Sequence, residues 1–129
     1  VGTVFRVAGG TADVRLAVDS GFGVDVVVRR TGARGFVRGT GDRSRYRVKV
    51  EYIRQTDDVE VGDLLETSGV GCRFPGRIPV ARVTRVHHRD FGVYQEVEAE
   101  STVDFSRLDA VLIAIDAPTG CDTETRARL

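Results

Sequence analysis

Two small sets of residues could do chemistry. Ser68 with Asp63 and a histidine would suit a hydrolase, because a serine nucleophile needs an imidazole base within hydrogen-bond reach and an acid to orient it. The only histidines, His87 and His88, fall on a tight polar turn that ends at Asp90. Ser68 stands in Thr67-Ser68-Gly69, without the surrounding glycines that build an oxyanion hole. Its hydroxyl is expected to cap its own turn, and the chain is read as not an enzyme. A metal site would have to use His87, His88 and Asp90. Adjacent side chains on a strand point to opposite faces and rarely share an ion, so these are read as solvated turn residues. Cys72 and Cys121 lie 49 positions apart. That is neither metal spacing nor a disulfide framework, and both are read as unpaired thiols. No phosphate loop of the form G-x-x-x-x-G-K-[ST] is present, and Lys49 is the only lysine. No metal and no cofactor are expected.

Binding chemistry has two candidates. Arg29 to Lys49 holds eight basic groups against one acidic, with Phe36 and Tyr46 among them. A small barrel can hold a nucleic-acid single strand on such a basic groove with stacked aromatics. The whole chain, however, carries 19 basic and 19 acidic residues, so no global field recruits nucleic acid or an anionic membrane. The single-strand-binding barrel is therefore the alternative reading. The other candidate is Phe74, Pro75, Ile78 and Pro79, apolar groups in a glycine-rich loop. Exposed, they would dock a protein; turned inward, they would plug the end of a barrel.

The elements that position these groups are strands. Valine occurs 22 times, and β-branched side chains fit a pleated sheet better than a helix. Alternation or short apolar runs mark Val1–Val7, Val14–Val18, Val24–Val28, Phe36–Val37, Leu64–Thr67, Val80–Val86 and Val93–Glu100. In the cleanest strand Val48, Val50 and Tyr52 face one way, and Lys49 and Glu51 the other. Asp104 is expected to cap one helical turn through Leu108. Ala110 to Ile115 reads as a last buried strand, and Pro118 to Leu129 as a polar, disordered tail. No stretch of ten residues has a helical period. The longest apolar run is six residues, against about 20 for a membrane span. Many short strands at close spacing mean a barrel or sandwich.

An offset of 79 positions lays Val1, Val4, Arg6, Val7, Val14, Val18, Val24 and Asp25 on identical residues of the 80–104 segment. This predicts an internal duplication and an all-β fold of two small β-barrels. The first, residues 1–50, would be partial and truncated at its N-terminus. The second would span 51–117, with the tail at 118–129. Residues 1–50 carry a charge of +6 and residues 51–129 a charge of −6, read as solvated strand faces. The chain opens on Val1 rather than Met, with no signal peptide, so a longer protein is expected around it.

Val61-Gly62-Asp63-Leu64-Leu65-Glu66-Thr67-Ser68-Gly69, followed by Gly71, Phe74-Pro75, Ile78-Pro79-Val80 and Val83, resembles the best-marked block of the rod shape-determining MreC family. Arg30-Thr31-Gly32-Ala33-Arg34-Gly35 with Gly39, the opening Gly2 to Val7, and Asp104-Phe105 with Leu108 are similar to it as well. The match runs over about residues 1–116 and departs at Cys72-Arg73, Arg77 and Ala81. The resemblance implies a non-enzymatic scaffold of bacterial cell elongation that links the cytoskeleton to peptidoglycan synthesis and maintains cell shape. It implies self-association into dimers or filaments, and MreD, MreB, RodA and a class B penicillin-binding protein as partners. It further implies a periplasmic or extracytoplasmic location, with a membrane anchor upstream of the residues given.

Overall fold

A computed structural model of the chain describes residues 1–70 and 74–114. The described residues are almost entirely β, as the valine content predicts. β1 (Gly2–Ala8) and β2 (Thr11–Leu16) form a hairpin. β3 (Gly23–Val28), β4 (Arg34–Gly39), β5 (Arg47–Glu51), β6 (Leu64–Thr67), β7 (Pro79–His87) and β8 (Glu96–Ser101) close a six-stranded barrel in the order β3-β4-β5-β8-β7-β6. Every neighbouring pair is antiparallel.

Alternation decides which side chains enter the barrel. Val24, Val26 and Val28 of β3, Val37 of β4, Val48 and Val50 of β5, Leu65 of β6, Val83 of β7, and Val97 and Ala99 of β8 fill the interior. Strand β4 offers the interior Gly35, Val37 and Gly39, because its two ends are already occupied. A Cβ on Gly39 would stand 1.9 Å from the carbonyl oxygen of Asp19, on the chain that crosses that end of the barrel. A Cβ on Gly35 would stand 2.6 Å from Cδ1 of Ile53. Val18 and Phe22, on the crossing chain, are themselves buried.

The structure departs from the expected two barrels. Strands from both sides of the 50/51 boundary share one barrel, because β5 pairs with β8 and β3 with β6. What precedes β3 is a hairpin, not a barrel. The 79-residue offset does lay β1 on β7. Both strands bulge at the same place, between Val4 and Arg6 and between Val83 and Arg85. The offset fails at the next strand. Val14 pairs with Val4, whereas Val93 lies in the loop before β8.

Three further expectations are corrected. Tyr52 does not continue the inward row of Val48 and Val50: it takes φ 65° and is 55 % exposed. The strand expected from Val93 begins only at Glu96. Residues 110–114 form no strand, and Val111, Leu112 and Ile113 are exposed. Each barrel strand already has two neighbours, so along its paired length the wall has no free edge for these residues. Ile115, the tail, Cys72 and Cys121 lie outside the described residues. The Asp104 cap is present, accepting from the Ser106 N–H ahead of a 3₁₀ turn over Phe105–Arg107.

Gly39→Ala is expected to destabilise the barrel by at least about 3 kcal/mol, because the clash is with backbone that cannot turn aside. Urea unfolding of the chain measures it. Gly35→Ala should cost less, since Ile53 can change rotamer.

Candidate functional site

Asp63 and Ser68 are each committed locally. Asp63 is nearly buried, and its Oδ2 accepts from the Glu60 N–H at 2.8 Å. Arg30 grips the same carboxylate with two nitrogens, Nε to Oδ1 at 2.8 Å and Nη2 to Oδ2 at 2.9 Å. The other side of the guanidinium reaches Asp58, at 2.9 Å. Hydrogen bonding to Arg30 is the first cause that holds both carboxylates below their ordinary range, and the two carboxylates raise Arg30 in turn. A bidentate, partly buried pair of this kind is the strong form of an ion pair. It joins the Arg30–Gly35 turn to the Val61–Gly69 block, 33 positions on. The Ser68 hydroxyl accepts from the Val70 N–H at 3.1 Å, as a turn cap should. His87 lies opposite Glu96 in the β7–β8 ladder, and His88 is exposed. No group of three or more metal-ligating side chains occurs among the described residues.

The basic run from Arg29 to Lys49 is interleaved with acids, Asp42 of the run itself and three brought from elsewhere. Arg34 faces Asp25, Arg38 faces Glu51, Arg43 faces Asp19 and Arg47 faces Asp42. Tyr46 is half-buried and packs edge-on against Phe105 at 5.2 Å. The ion pairs weaken the basic field on which the nucleic-acid alternative rests.

The predicted apolar loop divides in two. Phe74 turns inward and meets Phe22 edge-on at 6.0 Å, packed against the core. Pro75 is half-buried. Ile78 is 41 % exposed and Pro79 is exposed beside it. Buried Thr67 fastens the loop: its hydroxyl donates to the Pro75 carbonyl and accepts from the Ile78 N–H. The outward apolar surface here is therefore Ile78 and Pro79.

A second surface escaped the sequence reading. A groove of about 630 Å³ runs beside the β3–β4 turn, walled by Phe36, Tyr52 and Tyr94, with Arg34, Arg54 and Asp57 at its rim. Tyr52 and Tyr94 meet edge-on at 5.5 Å. Gln95 braces the wall by donating to the carbonyls of Arg54 and Asp57 at 2.9 and 3.1 Å. The only sequence signal was the spacing Phe36…Tyr52…Tyr94, which has no meaning until β4, β5 and β8 are neighbours.

Residues 1–115 match the family described as Rod shape-determining protein MreC, barrel core. The chain belongs to the MreC family. It is 34 % identical over 113 residues to the cell shape-determining protein MreC of Escherichia coli K12, covering 88 % of this chain and 30 % of that protein. The chain spans less than half the length of the curated MreC proteins it matches. The crystal structure of MreC from Pseudomonas aeruginosa superposes with a TM-score of 0.73 at 39 % identity, over 78 % of this chain and 64 % of that one. A complex between penicillin-binding protein PBP2 and MreC from Helicobacter pylori shares the fold, with a TM-score of 0.59 at 19 % identity, over 78 % of this chain and 60 % of that one. The family is one of cell-shape determination. The two segments that carry the resemblance are the ones the Arg30–Asp63 pair joins.

Asp63→Asn should destabilise the barrel by about 1–3 kcal/mol, since it leaves a buried amide in place of the carboxylate that Arg30 holds. The pH dependence follows from the sign of the shift. Asp63 and Asp58 are lowered in the folded chain, so their contribution is complete above the ordinary Asp pKa of about 3.9. It is lost as pH falls through the folded values. Thermal unfolding between pH 7 and pH 2 should show a steeper acid loss for the natural chain than for Asp63→Asn.

Proposed function

We propose that this chain is the barrel region of a scaffold that holds wall-synthesis proteins together outside the bacterial cytoplasmic membrane. The match to the MreC barrel core over residues 1–115 carries the reading. The barrel's interior is filled by valine and leucine, so what it can offer a partner is its outer surface. A penicillin-binding protein is the first partner, by analogy with the complex formed by the Helicobacter pylori protein. MreD, MreB and RodA are further members of the proposed assembly. The extracytoplasmic location and an anchor elsewhere in the protein belong to the same proposal.

Self-association is supported by the hairpin. Among the described residues β1 and β2 pair only with each other, which leaves their outer edges open. Val4, Phe5 and Val7 are exposed on β1, and Val111 to Ile113 are exposed near the other end of the described chain.

The test is complementation. In a strain deleted for the gene, the full-length protein should restore rod shape and co-purify with the organism's own PBP2-type penicillin-binding protein. Normal shape in the deletion strain would sink the proposal. Ile78→Asp tests the loop better than a change at Phe74, which packs against the core. Ile78→Asp is expected to reduce the co-purified penicillin-binding protein. Undiminished capture would remove Ile78 and Pro79 as the docking face.

A further inference from the structure

The groove beside Tyr52 is a break in the barrel wall. Val28 N–H donates to the Ala33 carbonyl. That bond sets the antiparallel alternation: positions 33, 35 and 37 turn their main-chain groups to β3, and 34, 36 and 38 turn theirs to β5. The β4–β5 register runs from Gly39↔Val48 to Phe36↔Glu51 and stops there. The next partner for Arg34 would be Ile53. Ile53 instead gives its carbonyl to the Gln95 N–H at 2.9 Å, on the β8 side.

A bulge causes the turn. From Val50↔Val97 to Arg54↔Tyr94 the β5 side advances four positions and its partner three. The extra residue sits where Tyr52 takes φ 65°. A bulky residue in that region is strained, and bulges re-aim side chains. Here the bulge puts the Tyr52 ring on the outer surface. The main-chain N–H and C=O of Arg34 are left facing the gap, with no backbone partner among the described residues. Arg54 has no ion pair among the described residues, and Arg34 has only a 3.5 Å contact with Asp25.

We infer that this gap is the docking site for an extended segment of the partner protein, which pairs with the Arg34 backbone, sets an aromatic or proline side chain against Tyr52, Tyr94 and Phe36, and gives a carboxylate to Arg54. Extended segments that complete a sheet edge gain affinity from main-chain bonds and specificity from side-chain pockets. Tyrosine and arginine are the residue types that dominate such contacts. The inference rests on the scaffold reading above and assigns it a second surface, separate from Ile78 and Pro79.

The experiment uses the full-length protein in cells, with the photo-crosslinker p-benzoylphenylalanine at Tyr52, at Ile78 or at the exposed Thr84 on β7. The expected result is a crosslink from position 52 to the PBP2-type penicillin-binding protein and none from position 84. Tyr52→Gly should keep the thermal midpoint, because glycine takes that φ without strain. It should weaken co-purification of the penicillin-binding protein at least tenfold, as should Arg54→Glu. A crosslink from position 52 to a second copy, or one dissolved by muramidase and therefore to glycan, overturns the inference. So does a penicillin-binding-protein crosslink from position 78 or 84 alone, with the scaffold reading left standing. No crosslink to any wall-synthesis protein from the three positions overturns both.

Discussion

Closure of the barrel depends on a short seam. β3 and β6 share only three residue pairs, Val26↔Thr67, Val27↔Glu66 and Val28↔Leu65, yet without them the six strands form an open sheet with β3 and β6 as its edges. The partners are some forty positions apart, so the seam must offset a loop-closure cost that the local hairpins do not carry. It is strengthened at both ends. Ser68 N–H donates to the Asp25 carbonyl at one end, and Arg29 N–H to the Leu64 carbonyl at the other. Just beyond the latter, Arg30 clamps Asp63 and Asp58. A charge-assisted fork is about twice as strong as a neutral hydrogen bond, and here it fixes the register of one of the two shortest ladders in the wall.

A closed barrel of six strands has room for little more than one layer of small side chains. Valine fills it at eight positions of the fully buried set, and β4 must drop to glycine where the chain from the hairpin crosses over. The same economy of space confines recognition to the outside. There, most charges are already spoken for by partners such as Arg38 with Glu51 and Arg85 with Glu98 across strands, and Arg89 with Glu96 beside them. What remains distinctive on the surface is apolar or aromatic: Ile78 with Pro79, the hairpin valines, and the Tyr52–Tyr94 pair.

Strands marked by alternation or by a short apolar run were readable from sequence: Val24–Val28, Val48–Val50 and Leu64–Thr67 stand where they are expected. Ser68 and Asp104 were readable as caps, because their hydrogen bonds are local. The reading failed wherever the deciding partner is remote. Tyr52 follows Val50 at the correct spacing, and only the competing demand of Gln95 for the Ile53 carbonyl turns it outward. Ala110 to Ile115 has the composition of a buried strand, but its described part, residues 110–114, joins no sheet, since every barrel strand already has two neighbours. The basic run looked like a nucleic-acid surface because Asp19, Asp25 and Glu51, which neutralise it, are supplied by other strands or by the chain that crosses the barrel end. The two motif blocks that carried the family resemblance were visible separately. That they touch through Arg30 and Asp63 was not.

The bulges connect these failures to function. Besides the shift at Val80, whose side chain stays buried, three occur where an otherwise regular ladder gains one residue: at Phe5 in β1, at Thr84 in β7 and at Tyr52 after β5. Each interrupts the inward–outward alternation, so each converts a position that packing would dictate into one that packing leaves free. In β1 the freed residue is an exposed phenylalanine with the Arg15 guanidinium 4.9 Å from its ring, and after β5 it is a tyrosine held in a strained conformation. A chain selected only for stability would place glycine or a polar residue there. Aromatic side chains at both points are more consistent with a surface that is covered in use, one in the hairpin and one beside the gap left by Arg34.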